Sequence, residues 1–170
     1  MSAPSSVHTF LGDARVAYTI VPHAAVFTAQ EGAAVMHVPG RDWAKVVVCM
    51  IDGEPVQAVL PAPLVVHLDR LLAIAGGATI RFATEEELRA LYPDCELGAM
   101  PPFGPIYGHR VIVDAALAAE PEIVFNAGTH REAIRMRYVD FARAAHPVVG
   151  RFAEQPVRRE FQERHRPLHW

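Results

Sequence analysis

The run Ala44-Lys-Val-Val-Val-Cys-Met-Ile51 is apolar on both alternating faces except at Lys45. A strand of that pattern has to be covered on both sides, so it places a sheet at the centre of the fold with elements packed on each face. An ammonium in such a strand is costly to bury unless an anion or a carbonyl meets it. Lys45 is therefore paired, snorkelling, or lining a pocket. It is also the only lysine among 16 basic residues, the rest being arginine. A compact, flexible point charge is what distinguishes it from a planar guanidinium.

The surrounding segments read as alternating strands and helices. Tyr18–Val21 is a first strand, and Thr28-Ala-Gln-Glu31 is a capping box opening a helix to about Met36, stopped by Pro39-Gly40. Asp52-Gly53 turns the central strand into a second, Val56–Leu60. From Pro63 the apolar residues Leu64, Val65, Leu68, Leu71, Leu72 and Ala75 keep a 3.6-residue period, which Gly76-Gly77 ends. Thr79–Ala83 reads as a short strand, and Thr84-Glu-Glu-Glu87 as a second capping box leading a helix to Leu91 before Pro93. Strands follow at Val111–Val113, Ile123–Asn126 and Ala133–Arg137, and a closing helix over Tyr138–Ala145 ends before Pro147.

The chain of 170 residues, 51% hydrophobic and 21% charged, reads as one domain over residues 1–150. An arginine-rich tail over 151–170 carries five arginines against three glutamates. It reads either as an RNA-contacting extension or as a solvated terminus. A net charge of −3 excludes a protein that coats nucleic acid with its whole surface, while leaving room for contact with one RNA end. Neither a membrane-length apolar run nor a signal-peptide pattern is present, which gives a cytoplasmic expectation. Cys49 and Cys95 are expected as reduced thiols without metal-ligand spacing, Cys49 as core filling, and His165 and His169 sit four apart but have Pro167 between them, which breaks the helix that metal binding at that spacing requires. No metal and no cofactor are expected.

Two Gly-centred segments offer backbone amides. Gly98-Ala-Met-Pro-Pro102-Phe-Gly104 is either a cradle for an oxyanion or a structural turn, and Asn126-Ala-Gly-Thr-His130 is a second such turn, with Gly128 at its centre. His130 either bonds a substrate or is polar surface, and Asp114 either orients Lys45 or caps the turn to Ala115–Ala118. No nucleophile elbow, phosphate loop or zinc-protease motif occurs.

Taken in order, His23, Ala44-Lys45-Val46-Val-Val, Leu60-Pro-Ala, Gly98-x-x-x-Pro102-Phe-Gly104, Val111-Ile-Val-Asp114 and the Gly128 turn resemble the YbaK-type aminoacyl-tRNA deacylases. That family also supplies the editing insertion of bacterial prolyl-tRNA synthetases, and the resemblance spans about Tyr18 to Pro147. It implies an α+β fold, a mixed, largely antiparallel sheet or barrel flanked by helices, with a pocket between Lys45 and the two Gly loops. It further implies a trans-editing hydrolase that cleaves the ester of a mischarged aminoacyl-tRNA. Lys45, Gly98 and Gly128 are then expected in catalysis, and His23, Met100, Pro101, Pro102, Asp114 and His130 in substrate binding. The expected partners are the acceptor end of aminoacyl-tRNA and a synthetase, without membrane or DNA. Val21 and Val46 stand where some members have an aromatic hydroxyl and an asparagine, which leaves the amino acid removed open. A non-catalytic module holding a tRNA end or a synthetase, and a small-ester hydrolase, are the rival readings.

Overall fold

A computed structural model describes residues 5–22, 34 and 38–157. His23, most of the helix read over Thr28–Met36, and residues 158–170 lie outside the described residues.

The run that opens the argument is strand β2 (Ala44–Ile51), preceded by a 3-10 turn, Gly40–Asp42. Asp52 and Gly53 both take positive φ, 50° and 81°, and this turn returns the chain into β3 (Glu54–Pro61), in register from Ala44–Pro61 to Ile51–Glu54. The Asp52 carboxylate also accepts the amides of Ala78 and Thr79 at 3.0 and 2.8 Å, tying the hairpin tip to the chain entering the next strand.

The periodic helix forms later than its pattern suggests. Val65–Val66 is drawn into a short strand, β4, and helix α2 runs only over Leu68–Ala75, capped by His67 and closed by Gly76 at φ 78°. Helix α1 (Ser5–Asp13), which the sequence reading did not contain, and β1 (Thr19–Pro22) precede β2. After α2 come β5 (Ile80–Phe82) and helix α3 (Glu85–Leu91). Thr84 and Glu87 form the expected reciprocal capping box on α3. A long loop and the 3-10 turn Gly104–Tyr107 lead to β6 (Arg110–Asp114), α4 (Ala115–Ala118), β7 (Glu122–Asn126), β8 (Glu132–Arg137), α5 (Tyr138–Ala145), β9 (Val148–Gly150) and β10 (Ala153–Glu154).

Five strands form one mixed sheet in the order β5-β2-β3-β6-β9, antiparallel across β2 and parallel from β3 to β9. A three-stranded antiparallel sheet, β1-β8-β7, meets it at a single parallel bridge between Trp43 and Val124. The pair β10-β4 closes one side, with Phe152 fully buried beside it. The fold is α+β with mixed sheets flanked by helices, as the resemblance implied.

The largest core cluster lies between the two sheets and α5, where Phe103 sits 5.4 Å from Phe125 and 5.5 Å from Phe141 between ring centres. On the other face of the large sheet, Cys49, Val56, Ala58, Leu60 and Ile112 pack with Leu71 of α2 and Phe152.

Candidate functional site: an uncovered edge and two stitched loops

One edge of β2 is paired to β3 throughout. Its other edge meets β7 only at Trp43 and β5 only from Cys49 onward, with the Ala83 amide donating to the Val48 carbonyl at 3.0 Å. Among the described residues, the edge from Ala44 to Val47 therefore has no strand hydrogen-bonded to it. Lys45, Val46 and Val47 are half-buried, whereas Ala44, Val48 and Cys49 are buried. The charge lies where the sheet is split. Among the described residues the Lys45 ammonium has no hydrogen bond or ion pair, and burial holds its pKa below the ordinary lysine value.

The segment after α3 packs on the face of β2 that carries Val46 and Val48. Gly98 takes φ 84°, a conformation that a side chain at this position would strain, and it is exposed. Two residues on, Met100 is buried against Val48 and Tyr92, with Val46 packed on the same cluster. At its far end the segment is anchored by Phe103 in the core and by Gly104, where a Cβ would lie 2.3 Å from the His109 carbonyl and 2.7 Å from Val111. The motif thus combines a left-handed turn, an apolar wall, two rigid prolines, an aromatic anchor and a close backbone contact.

The Gly98 loop and the Gly128 turn form one unit. The Glu96 amide donates to the Gly128 carbonyl (2.8 Å), the Gly128 amide to the Ala99 carbonyl (2.8 Å) and the Ala99 amide to the Glu96 carbonyl (3.0 Å). His130 completes the join, its Nε2–H donating to the Leu97 carbonyl at 2.7 Å and its backbone amide to the Glu96 carboxylate at 3.1 Å. These bonds change two expectations. The Gly128 and Ala99 amides are already used, so of the glycine-loop amides expected to cradle an oxyanion, those of Gly98 and Met100 remain without an acceptor among the described residues. His130 is 6% exposed, with its Nε2 committed to Leu97.

Asp114 takes the capping alternative. Its carboxylate accepts the amides of Ala116, Phe152 and Ala153 at 2.9, 2.9 and 2.8 Å. The registers Lys45–Leu60 and Val59–Val113 put β3 between it and Lys45. Pro101 and Pro102 are buried, and the Pro101 carbonyl accepts from Gln57 Nε2 at 3.1 Å. Alternation along β2 turns Lys45 to the face opposite Val46 and Val48, so it reaches the Gly98 side only around the uncovered edge. Burial pushes the Cys49 thiol up to about 11 and that of Cys95 up to about 12, so neither is a thiolate at neutral pH. No group of three or more His, Cys, Asp or Glu side chains able to hold a metal occurs among the described residues.

Sequence reasoning passed over Glu96, Gln57 and Tyr92. Gln57 did carry a signal, being a polar residue inside the apolar run Val56–Leu60, the same kind of anomaly that singled out Lys45.

The model of the aminoacyl-tRNA editing domain matches residues 23–144. The chain belongs to that family. It is 28% identical over 140 residues to the multifunctional Ser/Thr-tRNA deacylase ProXp-y of Escherichia coli K12, covering 79% of this chain and 83% of that protein. The Escherichia coli O157:H7 protein of the same name matches equally. Among solved structures, the hypothetical protein APE2540 superposes with a TM-score of 0.80 at 18% identity, over 88% of this chain and 99% of that one. A protein described as a candidate trans-editing enzyme for prolyl-tRNA synthetase superposes with a TM-score of 0.77 at 23% identity, over 91% of this chain and 99% of that one. These two likenesses concern the fold. No helix among the described residues is long and apolar enough to cross a membrane.

Proposed function

We propose that this editing-family hydrolase cleaves the ester between a small amino acid and the terminal ribose of a mischarged tRNA at the split in β2. The observation that carries the reading is the half-buried Lys45 ammonium, unpartnered among the described residues at an unpaired strand edge, with the exposed Gly98 on the opposite face of the strand and its amide unused among those residues. An aminoacyl ester is an activated bond, so positioning and charge stabilisation do most of the work and no side-chain nucleophile is required. Because Lys45 and the Gly98 loop lie on opposite faces of the strand, they take different parts of the substrate. Lys45 holds the terminal phosphate, and the Gly98 amide faces the ester oxygen that becomes negative. A water then attacks the carbonyl carbon, its proton accepted by the neighbouring ribose hydroxyl acting as relay. The carbon–oxygen bond to ribose breaks, the departing ribose oxygen takes the proton, and the free amino acid leaves.

Val46, Val48 and Met100 make the wall beside Gly98 apolar, which suits small side chains. The name of the Escherichia coli relatives adds serine and threonine to the panel worth testing. Measuring free amino acid released from tRNA charged with Ala, Ser, Thr, Cys or Pro tests the reading, with and without a prolyl-tRNA synthetase present. Release from at least one small-residue tRNA is expected. Binding of these tRNAs with no release from any of them would replace the hydrolase with a holding module, and cleavage of simple amino-acid esters alone would remove RNA from the function.

A further inference from the structure

Gln57 lies fully buried in the middle of β3. Its Nε2 donates to two acceptors, the Tyr92 hydroxyl at 3.2 Å and the Pro101 carbonyl at 3.1 Å. The Tyr92 oxygen is in turn 2.8 Å from Nδ1 of half-buried His109. Pro101 and Pro102 have no N–H, so a carbonyl is the only backbone handle by which that part of the loop can be held.

We propose that Gln57 is a positioning residue for deacylation: its carboxamide, oriented by Tyr92 and His109, holds the Pro101 carbonyl and so fixes where the Gly98 amide and the Met100 wall meet the ester. This rests on the deacylase reading above. The donors run one way. Both Gln57 amide protons are spent on Tyr92 and Pro101, so Tyr92 accepts from Gln57 and gives its own proton to Nδ1 of a neutral His109. Burial pushes the Tyr92 phenol up to about 12, so it keeps that proton through the neutral range.

Protonating His109 puts a second donor on the Tyr92 oxygen and leaves the phenol proton without an acceptor. The buried acceptor left unused on this chain of bonds, among the described residues, is Gln57 Oε1. Reaching it means turning the carboxamide, which takes the N–H away from Pro101. A half-buried histidine is thereby coupled to the active-site loop through a fully buried amide. The groups facing His109 are Tyr92, edge-on at 5.3 Å between ring centres, and Tyr107 at 6.0 Å. Behind Tyr107 lie Cys95 and the Asp94 carboxylate, at 3.2 and 3.1 Å from its hydroxyl, with Ser6 of α1 bonded to Asp94. Burial holds His109 below its ordinary value, so the neutral arrangement prevails at pH 7 and is lost as the pH falls.

The test combines hydrogen exchange of residues 96–104, corrected for the intrinsic pH dependence of exchange, with steady-state deacylation between pH 5 and 8. It compares the native chain with Gln57→Met, Gln57→Glu and Tyr92→Phe. Gln57→Met keeps the volume and removes the donors; loop exchange should rise and kcat fall, each by roughly tenfold or more, since a small misplacement of reacting groups is that costly. Gln57→Glu should be as loose at pH 8 but tighten on acidification, because a protonated carboxyl regains a donor for Pro101, whereas the native loop loosens on acidification. Tyr92→Phe, which leaves Gln57 in place, should abolish the native loosening at low pH. Unchanged loop exchange in Gln57→Met, or a Gln57→Glu protein following the native pH trend, would overturn the proposal. A loop that responds as expected in a protein that hydrolyses none of the charged tRNAs would overturn its catalytic half together with the deacylase reading, while leaving the coupling demonstrated.

Discussion

The edge of β2 left unpaired among the described residues and the closed middle of β3 lie side by side, and each carries one polar residue in an otherwise apolar run. Lys45 is half-buried and unpartnered among the described residues, while Gln57 is fully buried and donates twice. Interior polar groups are tolerated when their hydrogen bonds are satisfied, and a charge is tolerated where solvent or a ligand can reach it. The middle of β3 therefore keeps an amide that holds structure, and the edge of β2 keeps a cation with no partner among the described residues.

The contrast is broken most severely by attacking the anchor shared by both regions. Phe103→Ala removes a fully buried ring packed edge-on against Phe125 and tilted against Phe141, and should cost about 3–5 kcal/mol of stability, read by denaturant unfolding. A loss below about 1 kcal/mol would show that the loop end is not part of the core.

Lys45→Ala comes next and should act in the opposite sense. It is expected to lower kcat/KM by about 10²-fold or more while leaving the melting temperature unchanged within a few degrees. Lys45→Arg should also be poor, since a planar fork cannot follow the same path around the strand edge. The activity that depends on the Lys45 charge should fall as pH rises through a pKa below 10.5, because burial disfavours the charged form. Native turnover in a folded Lys45→Ala protein would move the chemistry elsewhere.

Gly98→Val is a smaller disturbance on the side of the strand opposite Lys45. At φ 84° a β-branched residue is strained by about 1–2 kcal/mol. Since the nearest atom to a new Cβ there is His130 Cε1 at 3.7 Å, the strain rather than a clash should move the loop. Deacylation about tenfold slower, with an altered preference among Ala, Ser and Thr, is the expected reading. Retention of both rate and preference would reduce this loop to a connection.

Thr84→Ala is the mildest case and the control. Losing the capping box on α3 should cost about 1 kcal/mol in thermal or chemical unfolding with kcat unchanged, because Leu88 and Leu91 still hold α3 on the Met100 cluster when its first turn is uncapped. A tenfold fall in kcat would mean that the helix sets the loop directly.

Features written in consecutive residues were legible in the sequence: the doubly covered strand and its lone lysine, the Asp52-Gly53 turn, the Gly76 stop, the Thr84 capping box and the two Gly-centred segments. Each is a local consequence of side-chain period, backbone sterics or a side chain reaching three residues along. Helix α2 was misjudged at its start because Val65–Val66 fits either pattern, and pairing with Ala153–Glu154 decided for a strand. Helix α1 is held by burial of Val7 and Leu11 against residues far along the chain.

The site divides in the same way. That Lys45 is exceptional, and that Gly98 and Gly128 shape turns, could be read from residue type. Which amides remain free could not, because the Glu96–Gly128–Ala99 circuit joins segments about thirty residues apart. Nor could Asp114 be assigned to its cap, or Gln57 to Pro101, since each partner is chosen by strand register and loop closure. Sequence alone determined which residues are chemically anomalous. Only the tertiary structure decided which of those anomalies are satisfied internally and which have no partner among the described residues, because hydrogen-bond satisfaction depends on neighbours that the folded chain brings together.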